Sequence, residues 1–176
     1  MSTSHIRDEV SSRSAILLPD VDGPNNVTCT TEVGAITVAL AAAVMSTLAN
    51  RGVPGGSGCV VIACPERAPL LGPVLLECGI GSITSWNTRD AQDFSLRRVS
   101  SHNDILVDLR VPEHLDDEIE WAITAGPDVM SAAAASLAGL SVALRKEMFS
   151  RIDTPALAAC ARALVLQTAP GDVLPT

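Results

Sequence analysis

The chain has 176 residues, a formal net charge of -8 and 2% aromatic residues, with no tyrosine. This length suits one domain, which buries roughly 70% of the surface that its unfolded chain exposes. The acidic balance and the absence of a basic run argue against binding to a phosphate backbone, so nucleic acid is not an expected partner. A tyrosine general acid is excluded, and a lysine-based mechanism would require Lys146, the single lysine.

The first predicted element is a long, alanine-rich helix. Residues 1–26, which are rich in polar residues, are predicted to form a flexible N-terminal arm. The apolar stretch 33–48 is about two residues short of a usual membrane span. Hydroxyl side chains also interrupt it, so we predict a buried helix over 33–50 and no contact with a membrane. Arg51 and Gly52 suit the C-terminal end of this helix.

Short apolar strands alternate with helices in the next part of the chain. Apolar, β-branched runs predict strands at Cys59–Ala63, 80–86 and 104–109. A helical pattern covers 68–78, although Pro73 would require a kink there. This alternation predicts an α/β fold, namely a shortened, Rossmann-like, doubly wound and mostly parallel sheet with alanine-rich flanking helices.

The remaining predicted elements are helical. Residues 112–125 form an amphipathic pattern with an acidic first half, in which Trp121 is expected to anchor the helix on the sheet. Residues 128–135 fit either a fourth strand or the start of a helix. A last helix is predicted from Asp153 or Thr154 to Gln167. A flexible tail is predicted over 168–176.

The five cysteines and the N-terminal composition bear on the compartment. The cysteine count is odd and the spacing contains no CxxC pair, so we expect reduced thiols, mostly buried as small hydrophobes, and no metal site. Residues 1–14 are polar and charged and contain no apolar signal core. We therefore expect a cytoplasmic protein.

Three stretches of the chain resemble the C-terminal, NAD(P)-binding domain of malic enzymes. They are GAITVALAAAV from Gly34, VVIACPERAP to WNTRD, and GLSVALRKEMFSRIDTPALAACARAL from Gly139. The last is the most specific, because malic enzymes end this domain with a GIFRGAL segment and an AAxARAL-like helix at about this separation. The resemblance covers about 28–165 and implies a Rossmann domain over 27–167.

The functional motifs of that family are altered at the matching positions. Its metal-binding DDxxG motif is replaced by TTEVG from Thr30, and hydroxyls are poor substitutes for carboxylates at a divalent cation. The glycines of its dinucleotide fingerprint correspond to Cys64, Glu66 and Pro69, whose side chains occupy the space of the pyrophosphate. We therefore expect neither a metal nor a cofactor.

Polar residues at the C-terminal ends of the predicted strands indicate a ligand crevice, which is where open α/β sheets bind small molecules. The candidate catalytic residues there are Cys64, Glu66, Arg67 and His114. The leading hypothesis is a repurposed malic-enzyme-like enzyme that acts on a small molecule by a non-redox step, such as cyclisation, isomerisation or elimination. The arginine-rich, lysine-poor, alanine-rich composition suggests a GC-rich bacterial genome. A remnant domain of a larger enzyme would fit a specialised biosynthetic pathway.

Two other functions stay open. The chain can still be an NAD(P)-dependent oxidoreductase, in which Asn87 meets the ribose and Arg89 a 2'-phosphate. Alternatively it is a non-catalytic subunit or a homodimer that packs through the alanine-rich helices 33–50 and 156–167.

Several candidate residues also have structural explanations. Cys64 fits a packed thiol, and His114 fits the surface of an acidic helix. Asp108, a charge within an apolar strand, requires a partner, for which Arg97 and Arg98 are the candidates.

Overall fold

The structure, a computed structural model, describes residues 26–111, 119, 121–145 and 153–175. The chain divides into two compact units, Met1–Thr30 and Thr31–Thr176. The first unit contributes only the first turn of a helix to the described residues. The arm predicted over 1–26 lies outside them except for Asn26, and His114 lies outside them entirely.

The described residues of the chain form five α-helices and four strands. In chain order they are α1 (Asn26–Asn50), β1 (Cys59–Ala63), α2 (Leu71–Glu77), β2 (Ser82–Trp86), α3 (Leu96–Ser100), β3 (Ile105–Asp108), β4 (Ile123–Thr124), α4 (Pro127–Arg145) and α5 (Thr154–Gln167). Short 3-10 turns at Gly55–Ser57, Pro65–Arg67 and Thr88–Gln92 connect them.

The four strands form one parallel sheet in the order β2-β1-β3-β4. Val60 of β1 lies opposite Ile83 on one side and Ile105 on the other, so apolar side chains align across the sheet. Because parallel strands require crossover connections, helices must cover the faces of such a sheet. This arrangement confirms the predicted α/β fold with a parallel sheet and flanking helices.

Both faces of the sheet bury apolar side chains. Alternate residues of β1 and β3 point to opposite faces, as the period of two in a strand requires. One face packs against α1, α2, α4 and α5, while the other is covered by α3, the end of β2 and Ile119. The strand residues of the first face are Val60, Ile62, Ile105 and Val107, and those of the second are Val61, Ala63 and Leu106.

Helix α1 is a core helix of this domain. Every residue from 38 to 44 is fully buried, and the alanines among them allow other elements to approach closely on all sides. The segment Glu32–Asn50 has 19 residues and a mean hydropathy of 1.7, which meets the length and composition of a membrane span. The estimate that the segment is too short was therefore wrong. Because 67% of its most apolar window is buried inside the protein, the prediction of a buried helix is confirmed.

The end of α1 explains why Arg51 and Gly52 follow it. Gly52 has a φ of 70°, which suits glycine, and its N–H donates to the carbonyl oxygen of Ala49 at 3.0 Å. The N–H of Val53 donates to Leu48 at 2.9 Å. These two bonds form the Schellman motif that closes many helices, so the predicted C-terminus is confirmed.

Three element predictions need correction. Helix α2 begins at Leu71 because residues 65–67 form a 3-10 turn, and Pro73 lies in its first turn, where no N–H is required and no kink follows. The predicted helix 112–125 is wrong at its end, since Ile123–Thr124 is strand β4; residues 112–118 and 120 lie outside the described part. Trp121 is 41% exposed and is not a buried anchor.

The C-terminal third is helical and packed. The open choice over 128–135 is decided in favour of a helix, because α4 runs through it. Helix α5 begins as predicted, with Asp153 Oδ1 accepting a hydrogen bond from the N–H of Ala156 at 3.1 Å. Beyond α5, in the segment predicted as a tail, Leu174 is only 7% exposed and belongs to the core.

Candidate functional site

The order of the strands predicts a ligand crevice between β1 and β3. The connections from β1 to β2 and from β2 to β3 run in opposite directions across the sheet, so the order of the strands reverses at β1. In open α/β sheets, ligands bind beyond the carboxyl ends of the strands at this switch point. Residues 64–67 follow β1 and residues 109–111 follow β3, so both loops border the crevice.

Cys64, directly after β1, has an unusual backbone. It is the one non-glycine residue with a positive φ within the described ranges, at φ 58° and ψ 58°. Its N–H donates to the oxygen of Trp86 at 2.8 Å, and its Sγ lies 3.8 Å from Thr88 Oγ1. The side chain is 6% exposed and packs in the core. This burial favours the structural interpretation of the thiol, while the backbone remains strained.

Glu66 and Arg67 lie in the 3-10 turn Pro65–Arg67, and both side chains are exposed. Arg67 Nη1 donates to the carbonyl oxygen of Leu109 at 2.8 Å. This bond joins the loop after β1 to the loop after β3 across the switch point. Arg67 therefore has a structural contact and an exposed charge at the same place.

Asp108 and Arg110 form a buried ion pair at the end of β3. Arg110 Nη2 lies 2.7 Å from Asp108 Oδ2, and Nε lies 3.0 Å from Oδ1; the two side chains are 10% and 4% exposed, respectively. The guanidinium carbon of Arg110 also lies 6.0 Å from the centre of the Trp86 ring. The prediction that Arg97 or Arg98 pairs with Asp108 was wrong. Arg110 is only two residues from Asp108 in the chain, and its backbone N–H also donates to Asp108 Oδ1.

Asn87 and Arg89 follow β2 and contribute to a turn. The N–H of Asn87 donates to Asp90 Oδ2 at 2.8 Å, which caps the 3-10 turn Thr88–Gln92. Arg89 is exposed on that turn. The structure thus gives Asn87 a structural contact, and the ligand contacts predicted for both residues stay predictions.

The turn after β1 differs from the glycine-rich turn that binds the pyrophosphate of a dinucleotide. Such a site requires free backbone N–H groups at the start of the following helix. The N–H groups of Arg67, Ala68 and Leu71 instead donate to carbonyls of the turn itself, at 3.1, 3.1 and 2.9 Å. Pro65, Pro69 and Pro73 have no N–H. Among the described residues no group of three or more His, Cys, Asp or Glu side chains is placed to hold a metal ion.

Two cavities lie away from the crevice. One, of about 730 Å³, runs along β4 and is lined partly by Ile123, Val129 and Trp121. The other, of about 430 Å³, lies at the N-terminal ends of the strands and is lined by Arg51, Arg97 and again Trp121. Neither cavity was predicted from the sequence, because the residues that line them come from distant segments. The available signal was Trp121, a large aromatic residue in a chain with few of them.

Comparison with models of protein families, with curated proteins and with solved structures finds no match to this chain. The resemblance to malic enzymes therefore stays a prediction from the residues alone.

Proposed function

We propose that this chain is a small-molecule enzyme that catalyses a non-redox step, such as cyclisation, isomerisation or elimination, at the crevice between β1 and β3. One observation carries the proposal: two features that cost folding free energy lie together at the switch point of the sheet. They are the left-handed backbone of Cys64 and the buried pair of Asp108 and Arg110.

Both features carry a cost in folding free energy. A non-glycine residue in the left-handed region costs about 1–2 kcal/mol. A buried ion pair is often no more stable than apolar side chains of similar volume. Such costs are concentrated at functional sites, where strain and charge are part of the chemistry. Their position on the two strands that flank the switch point supports a ligand there.

The exposed side chains at the crevice support an organic acid as the substrate. The guanidinium of Arg67 is suited to a carboxylate, and Glu66 beside it offers a group for moving a proton. His114 remains a proposed second proton carrier and lies outside the described residues. This assignment agrees with the predicted malic-type ancestry, and we place the enzyme in a bacterial, cytoplasmic biosynthetic pathway.

The bonded N–H groups of the turn after β1 support a step that uses no dinucleotide. Calorimetry with NADH and NADPH tests this part. We expect no binding at about millimolar concentration, because three backbone N–H groups of the turn are already bonded and its prolines supply none. Tighter binding of either nucleotide would favour the oxidoreductase instead.

The catalytic part is tested with a bacterial metabolite extract incubated with the purified protein. We expect mass spectrometry to show conversion of an organic acid while the near-ultraviolet absorbance of added NAD stays unchanged. Arg67→Gln and Glu66→Gln should each slow the conversion by about tenfold or more, since each removes one charged contact. Arg98→Gln, an exposed arginine on α3 at the other end of the sheet, serves as the control. Unchanged conversion in both crevice variants would overturn the site.

A further inference from the structure

The cavity of about 430 Å³ lies at the end of the sheet where the strands begin, opposite the end that carries Cys64 and Arg67. Arg51 precedes β1, Asp104 directly precedes β3 and Trp121 precedes β4, so these residues meet where the parallel strands begin. Arg97 reaches the same cavity from α3. The site is therefore separate from the proposed catalytic crevice.

Two arginines, Arg51 and Arg97, are among the described residues that line this cavity. Arg97 is exposed, and no carboxylate of the residues that the structure describes lies within 4.0 Å of its guanidinium. Arg51 Nη1 donates to the backbone oxygen of Asp104. The carboxylate of Asp104 also lines the cavity, but its Oδ2 already accepts the N–H of Cys59 at 2.8 Å. Among the lining residues that the structure describes, two guanidiniums thus face one engaged carboxylate, an arrangement that favours an anion.

Trp121 supplies an apolar wall to this charged cavity. Its ring is 41% exposed, and the guanidinium carbon of Arg51 lies 6.0 Å from its centre. The other tryptophan, Trp86, is 4% exposed, and its Nε1 donates to Phe94. An exposed indole beside a guanidinium offers a flat apolar face on which the ring of a ligand can stack.

The same indole also lines the cavity of about 730 Å³ along β4. That cavity includes apolar side chains such as Ile123 and Val129, so it suits the uncharged part of a ligand. Asp128 and Asp172 also line it and would repel a second negative charge. A molecule that extends from one cavity to the other must therefore be anionic at one end only.

We infer that the two cavities bind one amphipathic organic anion. Its carboxylate or phosphate group lies between Arg51 and Arg97, and its apolar, ring-sized body packs on Trp121 and extends along β4. Guanidinium groups pair well with both oxyanions. The inference does not depend on the proposed function, because it concerns different residues, at the opposite end of the strands.

Nuclear magnetic resonance of the two indole N–H groups tests the inference. Benzoate and phenyl phosphate are titrated into the full chain, and Trp121→Phe assigns the signals. We expect a saturable shift of the Trp121 signal while the Trp86 signal stays fixed, and the tighter of the two probes identifies the oxyanion. Inorganic phosphate lacks the body, and benzylammonium has the opposite charge, so both should bind at least about tenfold more weakly.

Matched arginine variants complete the experiment. Arg97→Gln should weaken the binding by about tenfold, whereas Arg98→Gln, the neighbouring exposed arginine outside the cavity, should change it by less than about twofold. Arg67→Gln should leave the binding unchanged, so failure of the proposed enzyme and failure of this site are distinguishable. Equal effects of the Arg97 and Arg98 variants, no shift of Trp121, or equally tight binding of benzylammonium or inorganic phosphate would each overturn the inference.

Discussion

Cys64 combines a left-handed backbone with a buried side chain. Substitution can separate the strain of the backbone from the contribution of the thiol. Cys64→Ala and Cys64→Gly both remove the thiol, but only glycine adopts a φ of 58° without strain. We expect the glycine variant to be more stable than the alanine variant by about 1 kcal/mol. Urea unfolding measures the difference, and an alanine variant of equal or greater stability would contradict it.

The pair of Asp108 and Arg110 gives a second prediction for single residues. Asp108→Asn removes the carboxylate charge that pairs with the guanidinium of Arg110, whose side chain is 10% exposed. The free energy of unfolding should fall by about 3 kcal/mol, as when one partner of a buried ion pair is removed. Asp93→Asn, an exposed aspartate after the 3-10 turn, should change stability by less than about 0.5 kcal/mol. Similar losses for the two variants would show that the pair is not buried in solution.

Among the elements, helices α2 and α5 pack against each other and carry two half-buried thiols. Burial raises the pKa of the Cys78 and Cys160 thiols above the ordinary value; at Cys78, Arg162 opposes this rise and Glu77 adds to it. A raised thiol pKa stabilises the folded state below the unfolded pKa, and this stability is lost as the pH rises through the folded pKa.

Stability should therefore decrease as the pH rises above about 8.5, the pKa of a thiol in an unfolded chain. The absence of tyrosine and the single lysine make the effect easy to isolate, since few other groups titrate in this range. The double variant Cys78→Ala, Cys160→Ala should flatten the pH dependence of unfolding. Leu166→Ala, an exposed change on α5, should retain the wild-type dependence. An unchanged slope in the double variant would refute the assignment.

The predictability of each element from the sequence depended on how local its cause is. Strand β1 was predicted at its observed bounds because five consecutive apolar residues define it, and α5 because Asp153 caps it locally. Strand β4 has only two residues and pairs with β3. Two residues are too few to show the alternating apolar pattern by which a strand is predicted. The sequence showed that Cys64, Glu66 and Arg67 follow β1, but burial of Cys64 and the contact of Arg67 with Leu109 depend on tertiary packing.

At the scale of the whole molecule, a homodimer is predicted to form through helices α1 and α5, of which α5 is the more exposed. Residues 38–44 of helix α1 are buried within their own chain, which leaves less of this helix for contact with a second copy. Helix α5 exposes Leu166 at 87% beside exposed alanines. We therefore expect light scattering to show a dimer that Leu166→Glu dissociates, because a carboxylate is costly to bury. Phe94→Glu, a charge on another exposed residue, should not dissociate it; a wild-type monomer would exclude this interface.

The two outer strands of the sheet limit how the chain can associate through its backbone. Strand β4 offers two residues of free edge, and β2 presents mainly exposed serine and threonine side chains. Long, flat, apolar edges recruit strands from other molecules, whereas short or polar ones do not. Despite its hydrophobic content of 47%, the folded chain should resist amyloid-like aggregation, because its sheet gives an incoming strand almost no apolar edge to extend.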